Sequence, residues 1–125
     1  MRLLADTQIV YWFYHEPEKL PPPARKYLDA ASAVYVSAAS VWEIAIKVKL
    51  GKLKADPERL LQMIAASGMR ELPVFSRHTV LVADLPLHHN DPFDRLLIAQ
   101  AMIEPLRLLT TDEKLKQYSE LVIQI

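Results

Sequence analysis

Apolar runs in this chain give way abruptly to helix starts, and four such junctions carry an acid. They are Asp6 in LLADT, Glu43 in SAASVWEI, Asp94 in DPFDRLLIAQA and Asp112 in LLTTDEKL. Strands that alternate with helices need crossover connections, which imply a mostly parallel sheet with helices on both faces. Parallel strands put those junctions on one edge of the sheet, where open α/β folds bind their ligands. Acids from four distant segments then converge, as in a hard-cation site made of oxygen ligands.

The elements follow from local pattern. Residues 2–6 (RLLAD) read as a short buried strand and TQIVYWFYH as the helix after it. The triple proline at 21–23 can open a helix but not continue one, so a second helix is expected from Ala24 to Ala31. Ala33 to Ser37 is a second β-rich run, followed by an apolar helix from Ser40 to about Leu50 that Gly51 stops. Asp56-Pro57 caps and opens a helix to about Ser67, with Gly68 beyond it. Glu71 to Phe75 is a third strand, marked as an edge by Pro73. Helices then read from Ser76 to Asp84 and from Pro92 through Met102, with a loop at Pro86 to Asn90. Arg107 to Thr110 is a strand, Asp112 to Tyr118 a short helix and Leu121 to Ile125 the last strand.

A 51% hydrophobic chain of 125 residues has enough apolar material for one domain spanning 1–125 with a real core. No apolar stretch approaches the roughly 20 residues of a membrane span. The opening MRLLADTQIVYWFYH is interrupted by an acid and offers no small-residue cleavage site. With no cysteine for disulfides, a cytoplasmic protein is expected. Two glycines, Gly51 and Gly68, leave no glycine-rich phosphate loop and disfavour a dinucleotide site. Basic and acidic residues both number 15, so there is no global attraction to nucleic acid. KVKLGKLK nevertheless gathers Lys47, Lys49, Lys52 and Lys54, either a local phosphate track or a solvated, snorkelling face.

Each acid also has an ordinary explanation as a helix cap. Ser40 and Glu43 have capping-box spacing, Asp91 can cap the helix opened by Pro92, and Asp6 and Asp112 stand before helices. Asp94, however, shares a helical face with Leu97, Ile98 and Ala101, which turns it toward the core side. Two negative charges about 4 Å apart repel by roughly 4 kcal/mol at an effective dielectric of 20. Four converging acids therefore need a cation, bound protons or basic neighbours. Oxygen ligands alone favour Mg²⁺ or Mn²⁺.

LLADT, S-x-x-WEI, HHNDPFDRLLIAQA and LLTTDEKL, in that order and over nearly the whole chain, resemble the PIN-domain nucleases. Within them the resemblance is to the VapC-type toxins of bacterial and archaeal toxin–antitoxin pairs. It implies a three-layer α/β/α fold and a Mg²⁺- or Mn²⁺-dependent endoribonuclease that dimerises and is silenced by a cognate antitoxin. Carried over by position, Asp6, Glu43 and Asp94 match the three principal acids and Asp112 a more variable fourth. Thr7 and Thr110 match the hydroxyl residues beside them. The resemblance implies catalysis by water that attacks the phosphodiester, assisted by the cation the acids hold. Lys47, one helical turn from Glu43, is expected to steady the phosphate or offset the acids.

His88, His89 and Asp91 form a trio that invites a transition-metal reading, set against ordinary exposure in a loop; orienting Asp94 is a further role for them. Trp12, Phe13, Trp42 and Phe93 are candidates for base stacking, although core packing is favoured for Trp42 and Phe93. The apolar face from Ile9 to Tyr14 is wide enough to meet a partner subunit or antitoxin. Two other functions compete. An aspartate-based phosphotransfer enzyme would use Asp6, but the second acid such enzymes carry two residues on is Gln8 here. A non-catalytic scaffold for RNA or protein would be expected to have lost acids, and all four positions are filled.

Overall fold

Leu3, Leu4 and Ala5 are almost completely buried because both faces of their strand are covered, which explains why the run is continuously apolar rather than alternating. The computed structural model describes residues 1–125. Its strands are β1 (Arg2–Ala5), β2 (Ala33–Ser37), β3 (Arg70–Leu72), β4 (Arg107–Thr110) and β5 (Val122–Gln124). Its helices are α1 (Thr7–His15), α2 (Pro22–Ala30), α3 (Ala38–Lys49), α4 (Pro57–Ala66), α5 (Ser76–Val82) and α6 (Pro92–Ile103). The five strands form one sheet in the order β3-β2-β1-β4-β5, and every pairing is parallel.

The two faces carry separate cores, as the two-residue period of a strand requires. Leu3, Ala5, Leu109 and Ile123 point to the side covered by α1, α2, α3 and α4. Leu4, Leu108 and Val122 point to the other side, where α6 supplies Leu97, Ile98 and Ala101. The expected three-layer α/β/α architecture results. Chain order reverses between β1 and β4, so the crevice beyond their C-terminal ends is the natural ligand position. No helix is long and apolar enough to cross a membrane.

Several boundaries differ from expectation for identifiable reasons. Ser37, not Ser40, caps α3: its Oγ accepts from the Ala39 N–H at 3.0 Å. The helix therefore starts at Ala38, and Glu43 lies inside it rather than in a capping box. The second helix begins at Pro22, because two prolines fit its first turn, where no N–H is needed. β3 is an edge strand, as Pro73 indicated, but it ends at Leu72 before the proline. The segment after Asp112 is a 3₁₀ turn, Glu113–Gln117.

The face from Ile9 to Tyr14, expected to meet a partner, is largely consumed internally. Ile9, Val10 and Tyr11 are core residues, and Trp12, Phe13 and Tyr14 pack half-buried against that core. Trp42 departs the other way. Expected in the core, it is 62% exposed, because Ile44 and Glu43 take the inward face of α3. Phe93 is half-buried and meets the Trp42 ring edge-on, centroids 5.3 Å apart.

Candidate active site

All four expected acids line a single cleft of about 260 Å³ at the C-terminal edge of the sheet, together with Asp91 and Lys47. Asp6, at the end of β1, is both a cap and a cleft residue. Its Oδ1 accepts from the Ile9 N–H at 2.8 Å, and its Oδ2 accepts from the Thr110 hydroxyl. Thr110 Oγ1 in turn accepts from the Asp112 N–H at 3.0 Å, so the end of β4 locks two acids in register. Thr7 Oγ1 donates to Ser40 Oγ at 2.9 Å and ties α1 to α3, the helix that carries Glu43.

Glu43 is only 6% exposed, and one of its oxygens accepts from Lys47 Nζ at 2.8 Å. The other, Oε1, is buried and has no partner. A buried carboxylate oxygen without a donor costs several kcal/mol unless something else satisfies it. Asp94 occupies the first turn of α6, but it does not cap the helix. Asp91 does so, accepting from the N–H groups of Phe93 and Asp94 at 2.8 and 3.2 Å. That division leaves the Asp94 carboxylate free for the cleft.

Burial and mutual repulsion show in the acidities. Desolvation pushes Asp6 up from 3.8 to about 7, with the charges of Asp94 and Glu43 adding to the effect and the Thr110 and Ile9 bonds opposing it. Asp94 is pushed up to about 6, first by burial and then by the charge of Asp91, while its bond to His89 acts in the opposite direction.

The loop before α6 contributes a residue whose role the sequence left open. His89 Nε2 lies 2.9 Å from Asp94 Oδ2 and 3.4 Å from Asp112 Oδ2. Ligand atoms of His89, Asp94 and Asp112 all fall within 4.8 Å of one another. The trio His88, His89 and Asp91 does not assemble: His88 packs edge-on against Tyr118, and Asp91 Oδ1 caps α6. His89 is placed by Arg95, which is 8% exposed and donates to the carbonyls of Val82, Leu85 and Pro86 and to the Tyr118 hydroxyl. The Tyr118 hydroxyl accepts from the His89 N–H at 2.9 Å. An arginine on an apolar helix gave no sign in the sequence that it would fasten a loop.

The four lysines separate. Lys47 lines the acid cleft, Lys52 and Lys54 line a neighbouring hollow, and Lys49 lines neither. The donors in the cleft suit a hard divalent cation: carboxylate oxygens, one of them orphaned, with an imidazole at the margin. Asp6, Glu43, Asp94 and Asp112 are the residues that would hold it.

A model of the PIN domain family matches residues 3–121. Ribonuclease VapC22 of Mycobacterium tuberculosis is 27% identical over 118 residues, 93% of this chain and 91% of that protein. Among solved structures, VapBC2 from Rickettsia felis bound to a promoter DNA fragment matches with a TM-score of 0.73 at 17% identity, covering 100% of this chain and 98% of that one. A toxin–antitoxin complex from Klebsiella pneumoniae matches with a TM-score of 0.64 at 18% identity, over 98% of this chain and 99% of that one. Fold, motif order and family match agree: the chain belongs to the PIN domain family.

Proposed function

We propose that this protein is a metal-dependent endoribonuclease, the toxin of a type II toxin–antitoxin pair, that acts as a homodimer on RNA and is silenced by an antitoxin. The observation that carries the reading is the acid cleft itself. Asp6 is a buried and Asp94 a half-buried carboxylate, both with the pKa pushed up, and Glu43 presents an orphaned oxygen to the same space. Such a site is stable when a divalent cation neutralises it. The name of the related M. tuberculosis ribonuclease and the toxin–antitoxin assemblies among the solved structures support RNA as substrate and an antitoxin as partner.

Asp6, Glu43, Asp94 and Asp112 are assigned as the ligand set, with Mg²⁺ or Mn²⁺ as the cation. When bound, that ion supplies Lewis acidity and charge neutralisation for attack of water on a phosphodiester. The protein's own part is positional. Thr110 and the Ile9 N–H fix the Asp6 carboxylate, Thr7 fixes α3, and His89 bridges Asp94 and Asp112. Lys47 offsets the charge of Glu43 at the cleft wall. A nucleophilic role for Asp6 fits poorly, since both its oxygens already accept hydrogen bonds and it is 5% exposed.

The test is cleavage of a labelled RNA pool by the purified chain. Cutting should require Mg²⁺ or Mn²⁺, stop in EDTA and resume when the cation is returned. Undiminished cutting in EDTA would refute the assignment, as would a protein that binds RNA but never cuts it with either ion.

A further inference from the structure

Beside the acid cleft lies a second hollow of about 480 Å³, which shares Gln8, Tyr11 and Leu53 with it. Its character is opposite. Lys52 and Lys54 line it with Lys19 and Trp12, and the only acid on its wall is Glu16. Lys19 is already paired with Glu16 at 2.9 Å, whereas Lys52 and Lys54 form no ion pair. In a chain with no net charge, two uncompensated lysines at the mouth of a carboxylate site are a specific arrangement.

The lysines are aimed by the backbone. Gly51, at a φ of 74° that other residues rarely adopt, turns the chain out of α3. The N–H groups of Lys52 and Leu53 then both donate to the Lys47 carbonyl, at 2.8 and 3.3 Å. Leu53 and Ala55 pack on the core, so the alternate residues Lys52 and Lys54 face outward. The Tyr11 hydroxyl donates to the Lys54 carbonyl at 3.1 Å and fastens the segment to α1. Trp12, half-buried against the core, offers a fixed ring on the same wall.

Fixed cations next to an aromatic ring are how proteins hold single-stranded nucleic acid: phosphates on the lysines, a base on the ring. We propose that this hollow seats the single-stranded RNA segment flanking the scissile phosphate, with phosphates on Lys52 and Lys54 and an unstacked base on Trp12. The proposal rests on the ribonuclease reading and names the form of its substrate. It also answers an electrostatic problem, because a polyanion must be drawn to a cleft whose own walls repel it. A duplex keeps its bases stacked inward and offers none to the ring.

Binding is tested separately from cleavage. In full-length protein carrying Trp42→Phe, Trp12 is the only tryptophan, and its fluorescence is followed during titration with a single-stranded uridine decamer in EDTA. Quenching is expected, with much weaker binding of the same length of duplex. Lys52→Ala with Lys54→Ala should weaken binding roughly tenfold at low salt and reduce the slope of log K against log salt by about 1.4. In the cleavage assay the same double variant should raise KM and leave kcat within twofold. Trp12→Phe should retain the affinity that Trp12→Ala loses. An unmoved Trp12 signal, an unchanged salt slope or equal affinity for duplex overturns the proposal. So does lysine-dependent binding of poly-glutamate without binding of the decamer, which would assign the hollow to an acidic protein segment. Failure of cation-dependent cleavage with the binding signature intact would instead strike the ribonuclease reading alone.

Discussion

Helix α6 carries a carboxylate near each end, and the two behave oppositely. Asp94, in the first turn, should profit from the helix dipole, yet its pKa is pushed up to about 6. Glu104, the C-terminal cap, stands where the dipole disfavours an anion, yet it is held below the ordinary carboxylate range. Burial and partners explain the reversal. Glu104 accepts from the ring of His78, which is completely buried, and from Arg77 at 3.0 Å. Asp94 is desolvated by burial and faces Asp91 and Glu43 besides, with only His89 opposing them. An acid that serves the fold comes with its donors in place. An acid that serves a ligand has too few of them to offset its burial, and the fold bears the cost until the ligand arrives.

The sharpest way to break this contrast is to neutralise a cleft acid. Asp6→Asn or Asp94→Asn should lower cation-dependent cleavage by about a thousandfold or more, equivalent to at least ~4 kcal/mol of transition-state stabilisation. The same changes should stabilise the cation-free fold, by roughly 2–4 kcal/mol at pH 8 for Asp6, because a buried charge is removed. Thermal melting in EDTA checks this. A cleft variant that melted lower than the parent would mean its carboxylate serves the fold as Glu104 does.

Acidification gives the next largest effect. Asp6 is protonated in the fold up to about pH 7 but ionises near 3.8 when exposed. Between those values the folded state holds a proton that the unfolded chain has released, so stability falls as pH rises through the window. Asp94 adds the same sign up to about pH 6. EDTA-treated protein should therefore melt higher at pH 5 than at pH 8, and Mn²⁺ should raise the melting point more at pH 8. Asp6→Asn should flatten the first dependence.

At the far end of α6, Glu104→Gln should cost about 1–2 kcal/mol of stability and leave cleavage within twofold. His78 Nδ1 accepts from the Phe75 N–H at 3.0 Å, so its Nε2–H points at Glu104 and loses its charged acceptor in the variant. Melting and cleavage measured on one preparation check both halves.

How much of this was readable beforehand depended on range. The strands at Arg2–Ala5, Ala33–Ser37 and Arg107–Thr110 were legible because burial on both faces demands unbroken apolar runs. The meeting of Asp6, Glu43, Asp94 and Asp112 in one cleft followed from strand direction, because parallel strands bring their C-terminal ends to one edge. The capping-box alternative for Glu43 arose because Ser37 and Ser40 are chemically equivalent cap candidates three residues apart, and Ser37 is the one that caps. A role for the histidines in orienting Asp94 was among the options, but the choice of His89 and its contact with Asp112 were beyond reach, since they depend on Arg95 and Tyr118 shaping a loop through contacts 6 to 29 residues apart. Trp42 misled for a related reason: its neighbours in sequence are apolar, but helix phase turns it to solvent.

Lys47 and Glu43 lie between the two extremes, and that makes them the finest probe. Their contact resembles that of Arg77 with Glu104 in having an exposed cation, but no buried donor like His78 joins it and Glu43 Oε1 is left unsatisfied. Lys47→Met removes the one donor to a carboxylate whose side chain is 8% exposed, so the cation-free fold should lose about 1–3 kcal/mol, a loss that bound Mn²⁺ offsets. Removing a positive charge beside the acids strengthens their attraction for any cation, and a several-fold tighter Mn²⁺ affinity is expected by calorimetry. If Mn²⁺ affinity were unchanged and the loss of stability persisted in saturating Mn²⁺, the pair would belong with Glu104 as part of the scaffold. Glu43 would then have to be withdrawn from the ligand set.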